Sequence, residues 1–515
     1  MKTPLMLLPM TLLLACPRAD PEKSHTGDSE VQDSGETAAP VDTVDSAIRT
    51  GCAADKERVL DSETCMTEAP CAWTGDSGYG YVGYQLTAGA DFNGNGYGDF
   101  AAGAPSSNTN GQVFIVDGDA LNQPDAGWTT VLTGAMNAEQ FGYDLAQVGD
   151  VNGDTFDDLL VGARSNDTLG RNSGAAYLFL GREDGWDTEM DASDADASFL
   201  GQNTYARVGT QVSGGGDMDG DGYAEFLIAG DLSDYENKDE SKGTGRAYLM
   251  YGGVDRWALN TSTANADAWF DGPSDDAYAG RGFATGDFDG DGTRDLAVGA
   301  PYANTYKGGV YVLSHGNDRF DDAYALADAS INLSGESTYD TFGWTVAAGD
   351  ITGDGVDELI VGSPLSDSSY NEAGTVYIYA GGAGFFDGEP ERLTTLQGAW
   401  DDEQLGTGLD VGPDTNGDGI GDMVVGSIQS YKRLVTKGGR SWLVHGREAS
   451  AWPDVFELED ANAVVYGNSV NDYVGDANAL ADLDGDGQAE LLIGTGYFEV
   501  GDSTDAGGIF VFWTN

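Results

Sequence analysis

The chain has 515 residues and carries 87 acidic against 24 basic side chains, a formal charge of −63 at pH 7. That balance excludes nucleic acid as a partner, because phosphate binding needs basic patches. It reads as a solvated, self-repelling surface, and 77 glycines point to tight turns rather than long helices.

Residues 1–15 carry a positive charge at Lys2, run through an apolar stretch from Leu5 to Leu14, and end at Ala15. The stretch is too short for a comfortable membrane span. Leu13-Leu14-Ala15-Cys16 resembles the lipobox of bacterial lipoproteins. The resemblance implies removal of residues 1–15 as a signal peptide and acylation of Cys16. It also implies lipid anchoring at the bacterial outer membrane, since Pro17 rather than Asp follows the cysteine. Residues 16–51 are acidic and rich in Pro, Ser and Thr without periodicity, the composition of a flexible tether. A short lead-in, 52–69, contains Cys52 and Cys65, and Cys71 follows. Outside the cytosol a disulfide is expected: Cys65 with Cys71, or Cys52 with either. Neither a further cysteine close to these three nor a nearby histidine completes a zinc site.

From residue 70 to 515 one nine-residue acidic loop recurs seven times, at intervals of 59 to 70 residues. The copies are DFNGNGYGD (91–99), DVNGDTFDD (150–158), DMDGDGYAE (217–225), DFDGDGTRD (287–295), DITGDGVDE (350–358), DTNGDGIGD (414–422) and DLDGDGQAE (482–490). Hard oxygen donors stand at positions 1, 3, 5 and 9, and glycines permit the tight reversal that wraps a hard cation. With the position-7 carbonyl as a further donor, the expected calcium ligands of the first three copies are Asp91, Asn93, Asn95, Tyr97 and Asp99; Asp150, Asn152, Asp154, Phe156 and Asp158; and Asp217, Asp219, Asp221, Tyr223 and Glu225. In the fourth and fifth they are Asp287, Asp289, Asp291, Thr293 and Asp295, then Asp350, Thr352, Asp354, Val356 and Glu358. The sixth and seventh offer Asp414, Asn416, Asp418, Ile420 and Asp422, then Asp482, Asp484, Asp486, Gln488 and Glu490. Up to seven structural Ca2+ ions are expected. An EF-hand is ruled out, because its position-12 Glu is replaced by Ala102 and Val161 in the first two copies. Copies three, four and seven each offer four carboxylates and are expected to bind most tightly. Copies one, two (with Thr155 at a glycine position) and five (with Thr352) are expected to be weak.

Each loop is followed by a short apolar run closed by small residues, such as DLAVGAP (295–301), and then by a glycine opening an aromatic-aliphatic run, such as GTVYIYAG (374–381). Both are strand signals. A Gly-containing segment such as NLSGESTYDTFG (332–343) precedes the loop. Four strands per repeat and seven repeats predict an all-β, seven-bladed propeller of four-stranded antiparallel blades. The seventh repeat stops at GGIFVFWTN (507–515), after its third strand, while CAWTGDSGYGYVG (71–83) stands unassigned before the first loop. Residues 71–75 are therefore expected to complete the last blade and close the ring, removing open edges.

Phe141-Gly142 and Phe342-Gly343, with Gly103-Ala104-Pro105 and Gly299-Ala300-Pro301, resemble the FG-GAP repeat of the integrin alpha-subunit propeller. That resemblance implies calcium in the loops and a ligand-binding or adhesion module for a protein or carbohydrate, displayed on the cell envelope. Loop segments 165–173, 231–245, 302–309, 366–374 and 427–439 are the expected ligand contacts. A calcium-dependent carbohydrate-active enzyme such as a polysaccharide lyase, or a purely structural envelope protein, are the competing readings. No catalytic residue is singled out: His315 and His445 read as strand-end residues, and GDSGYG (75–80) has no histidine partner in the pattern of a serine protease.

Overall fold

The computed structural model describes residues 48–52, 60, 64–66, 69–75 and 80–514, apart from 123–126, 233–242, 255, 317–318, 430–437, 468, 470 and 500–504. The leader, Cys16 and most of the tether lie outside the described residues. Seven small sheets make a seven-bladed propeller. In blade one the strands run Gln85–Ala90, Asp99–Ala104, Gln112–Val116 and Thr130–Thr133, each antiparallel to the next. The first strands of successive blades abut one another around the whole ring, so they line the axis and the fourth strands lie at the rim.

The second strand of every blade is buried at all six residues, as in Asp99–Ala104 and Asp295–Ala300. Each is covered on both faces by neighbouring sheets, which explains why the sequence shows continuous apolar runs there rather than alternation. The ring closes as expected: Cys71–Thr74 pairs antiparallel with Gly508–Phe512, setting Trp73 opposite Ile509. Trp73 is fully buried and meets Phe100 of blade one edge-on at 5.2 Å. Cys71 is disulfide-bonded; the side chains of Cys52 and Cys65 lie outside the described residues.

Two features go beyond four strands per blade. The connection between third and fourth strands of one blade lends a short parallel strand to the rim of the preceding blade. Glu189–Asp191 joins Thr130–Thr133, Thr261–Ser262 joins Ala197–Leu200, and Ala323–Ala325 joins Ala268–Asp271. Thr64–Cys65 does the same to Ala463–Tyr466, so the lead-in belongs to the repeat pattern. The tether expected over 16–51 also ends in structure: Ile48–Cys52 pairs with Cys71–Thr74 and covers the rim of blade seven.

The paired glycine motifs have one physical cause. A Cβ on Gly299 would stand 2.2 Å from the carbonyl oxygen of Gly343, and one on Gly103 would stand 2.2 Å from that of Gly142. The glycine closing one blade's second strand thus touches the glycine opening the next blade. In blade three, where the sequence places Ala229 and moves the glycine by one, the facing Gly280 has no room of its own: a Cβ there would meet that of Ala229 at 2.7 Å.

Candidate metal centre and the opposite face

All seven acidic loops join the first to the second strand of a blade, so the antiparallel order places them on one face of the ring. The fourth loop shows the common geometry. Gly290 and Asp291 donate their N–H groups to Asp287 Oδ1 at 2.8 and 3.0 Å, and Gly292 donates to Oδ2 at 2.9 Å. The position-1 carboxylate is thereby fixed inside the turn. Thr293 N–H donates to Asp291 Oδ1 at 2.8 Å, which aims position 5 inward. In the second loop Thr155 holds the glycine position at φ 79°, a left-handed conformation costing a β-branched residue about 1–2 kcal/mol.

Position 9 lies at the base of each loop and is buried. Asp99 accepts from Phe92 N–H at 2.9 Å and Gly118 N–H at 2.8 Å; Asp158 accepts from Val151 at 2.9 Å and Gly181 at 2.8 Å. Asp295 takes His315 N–H at 3.0 Å, and the His315 ring lies 3.2 Å from the Tyr251 hydroxyl. His445 donates its backbone N–H to Asn462 Oδ1 at 2.8 Å. Burial pushes the carboxyl groups of Asp99, Asp158, Glu358 and Glu490 up to about 8, and those of Glu225 and Asp295 to about 7. Neighbouring loop carboxylates add to the rise, so a bound cation is the natural relief.

Three loops bring acidic oxygens within 4.8 Å of one another: Asp217, Asp219 and Glu225; Asp287, Asp289 and Asp291; Asp482, Asp484 and Glu490. Among the described residues these are the acidic groups so gathered, and they belong to the three loops with four carboxylates at ligand positions. The donor set is all hard oxygen and fits calcium. The other four loops use Asn or Thr at position 3, and among the described residues no three carboxylates come together there.

In the sequence, position 7 reads only as a carbonyl donor. Its side chain has a second role, covering the position-4 glycine of the preceding blade. A Cβ on Gly94 would lie 2.6 Å from the Phe156 ring, one on Gly153 2.5 Å from Tyr223, and one on Gly353 2.9 Å from Ile420. Backbone bonds follow the same path: Ala224 N–H donates to the Asp150 carbonyl at 2.9 Å and Asp357 N–H to that of Asp287 at 3.0 Å. Such backbone bonds link the loops across five seams: one to two, two to three, four to five, five to six and six to seven. The signal for this was the recurrence of bulky residues at position 7.

The opposite face is built from the second-to-third and fourth-to-first connections, including the described parts of the five segments expected to meet a ligand. Residues 233–242 and 430–437 of those segments lie outside the described residues. Four aromatic side chains are exposed there on blades four to six: Tyr306 (40%), Tyr339 (64%), Tyr370 (53%) and Trp400 (46%). Tyr306 and Tyr339 stack with centroids 5.6 Å apart, and the Arg440 guanidinium lies 4.6 Å from the Trp400 ring. Nearer the axis, Tyr84 meets Tyr143 at 5.4 Å and Arg281 lies 4.6 Å from Trp344.

Residues 82–116, 141–179, 279–313 and 342–379 match the FG-GAP repeat. Four of the seven blades are FG-GAP repeats. These are blades one, two, four and five, and they include both Phe-Gly pairs. The chain is 33% identical over 162 residues to integrin alpha-PS2 of Drosophila melanogaster, covering 30% of this chain and 11% of that protein. It is 27% identical over 257 residues to integrin alpha-5 of Xenopus laevis, covering 48% of this chain and 24% of the other. It is also 28% identical over 215 residues to phosphatidylinositol-glycan-specific phospholipase D of Bos taurus, covering 40% and 24% respectively. The matched stretches thus span between 11% and 24% of these relatives' lengths.

Proposed function

We propose that this FG-GAP propeller is a ligand-binding or adhesion module, held by calcium on one face and engaging a protein or carbohydrate with the other. The observation that carries this reading is the segregation of the two faces. Carboxylate loops occupy one, while Tyr306, Tyr339, Tyr370 and Trp400 stand exposed on the other. Exposed aromatic rings beside polar loops are the usual anchors of recognition surfaces. Similarity to integrin alpha chains supports it. In this reading residues 1–15 direct export, Cys16 carries the lipid, and the acidic tether displays the propeller at the bacterial outer membrane. The experiment is a screen of glycans and proteins against the full chain, with and without calcium. Calcium-dependent binding abolished by Trp400→Ala supports the proposal. Binding indifferent to every one of the four aromatic residues overturns the assignment of the face. An enzyme is the second reading, favoured by similarity to a phospholipase D. A release assay on any glycan or lipid the screen retains separates binding from cleavage.

A further inference from the structure

Among the described residues, loop three differs from its six relatives in having an arginine of its own chain seated in it. Arg319 leaves the connection after the third strand of blade four, crosses the seam, and pairs through Nε with Asp219 Oδ2 and through its terminal nitrogen with Asp221 Oδ2 at 2.5 Å. The Asp219 side chain is only 6% exposed, so this is not a loose surface pair. Tyr251 helps to position Arg319. Its guanidinium lies 4.6 Å from the Tyr251 ring, and the adjacent Phe320 donates its N–H to the Tyr251 hydroxyl at 2.8 Å. The same seam lacks the cover found elsewhere: position 7 of loop four is Thr293, and nothing lies within 4 Å of a Cβ built on Gly220. Loops four and seven gather acidic oxygens just as closely, without an arginine ion pair to them among the described residues.

We propose that Arg319 is an intramolecular counter-cation that competes with calcium for loop three. The inference rests on the calcium reading of the loops. Calcium requires six to eight oxygens, and the guanidinium holds two of the carboxylates that would supply them. Entry of the ion must displace Arg319, and by linkage Arg319 weakens the ion by the factor with which the ion weakens the pair. Counting carboxylates alone ranks loop three with loops four and seven; the arginine places it behind them. At low calcium the pair holds the seam between blades three and four, and at high calcium the ion takes over.

The test is calcium titration calorimetry on the full chain, wild type against Arg319→Gln and Arg319→Lys, with thermal melts in chelator and in saturating calcium. Arg319 is 43% exposed, so neither substitution opens a core cavity. The expected result is one site tightened about tenfold or more in the Gln variant, with the Lys variant between. In chelator the Gln variant melts below wild type, and in saturating calcium the difference vanishes or reverses. Calcium binding with the same affinities and stoichiometry in all three proteins overturns the role of Arg319 and leaves the calcium reading standing. No calcium binding in any of the three overturns both.

Discussion

Gly426 and Gly475 meet across the seam between blades six and seven so closely that a Cβ on Gly426 would stand 1.8 Å from the Gly475 carbonyl oxygen. A methyl group there must push one backbone away from another. Gly426→Ala is expected to destabilise the fold by about 3 kcal/mol or more, at the upper end of overpacking costs. Gly384→Ala, where nothing lies within 4 Å of the built Cβ, is the control and is expected to stay within about 0.5 kcal/mol. Denaturant unfolding of the two variants checks the contrast.

Trp73 is the anchor of the closing strand, packed on Phe100 and 6.3 Å from Trp128. Trp73→Ala removes a fully buried aromatic side chain and is expected to cost about 3–5 kcal/mol. Because the closing strand joins the two ends of the propeller, hydrogen exchange should rise first in Gly508–Phe512 and its neighbours. Uniform loss of protection across all blades would argue against a latch.

Asp144 is buried, accepts Val212 N–H at 2.6 Å, and is pushed up to about 7 by burial, with the Arg281 charge opposing the rise. Asp410 accepts Leu480 N–H at 2.9 Å and is likewise raised by burial to about 7. Both folded-state values lie above the unfolded carboxyl range, so the folded chain holds more protons than the unfolded chain between about pH 4 and pH 7. Their contribution is therefore greatest in acid and is lost as pH rises towards 7, with a slope of up to about 1.4 kcal/mol per pH unit for each group. The double variant Asp144→Asn, Asp410→Asn is expected to flatten that slope in denaturant melts taken from pH 4 to 8. An unchanged slope would remove these groups from the account.

Tyr339 and Trp400 are exposed and lie on the face opposite the acidic loops. Tyr339→Ala and Trp400→Ala are expected to leave the melting temperature within about 2 °C of wild type, since exposed substitutions change stability little. Ligand capture in the screen should fall about tenfold or more for a residue at a recognition centre.

The repeating loops, the strand order and the closing strand were all legible in the sequence, because each is written in local runs with a fixed period. Phe141-Gly142 and Gly103-Ala104 could be read as motifs, and their contact across a seam supplied the reason. Other relationships carry no local signal. The parallel strands that tie one blade to the next, such as Glu189–Asp191 on Thr130–Thr133, are too short and too distant in sequence to show a pattern. The cover of Gly153 by Tyr223 needs the register between blades. Arg319 stands 98 residues from Asp221, and only the folded ring brings them together. Four aromatic residues in separate loops become one surface only when the topology assigns those loops to the same end.

The most direct measurement of the central claim is the melting temperature of the full chain in chelator and in about 1 mM calcium. At dissociation constants near 10⁻⁴–10⁻³ M each filled loop adds about 0.4–1.4 kcal/mol, and seven together add about 3–10 kcal/mol, comparable with the net stability of a domain. Calcium is expected to raise the melting temperature by many degrees, with Asp287→Asn and Asp482→Asn each removing part of the rise. A melt unchanged after thorough removal of calcium would contradict the assignment of the loops as calcium clasps.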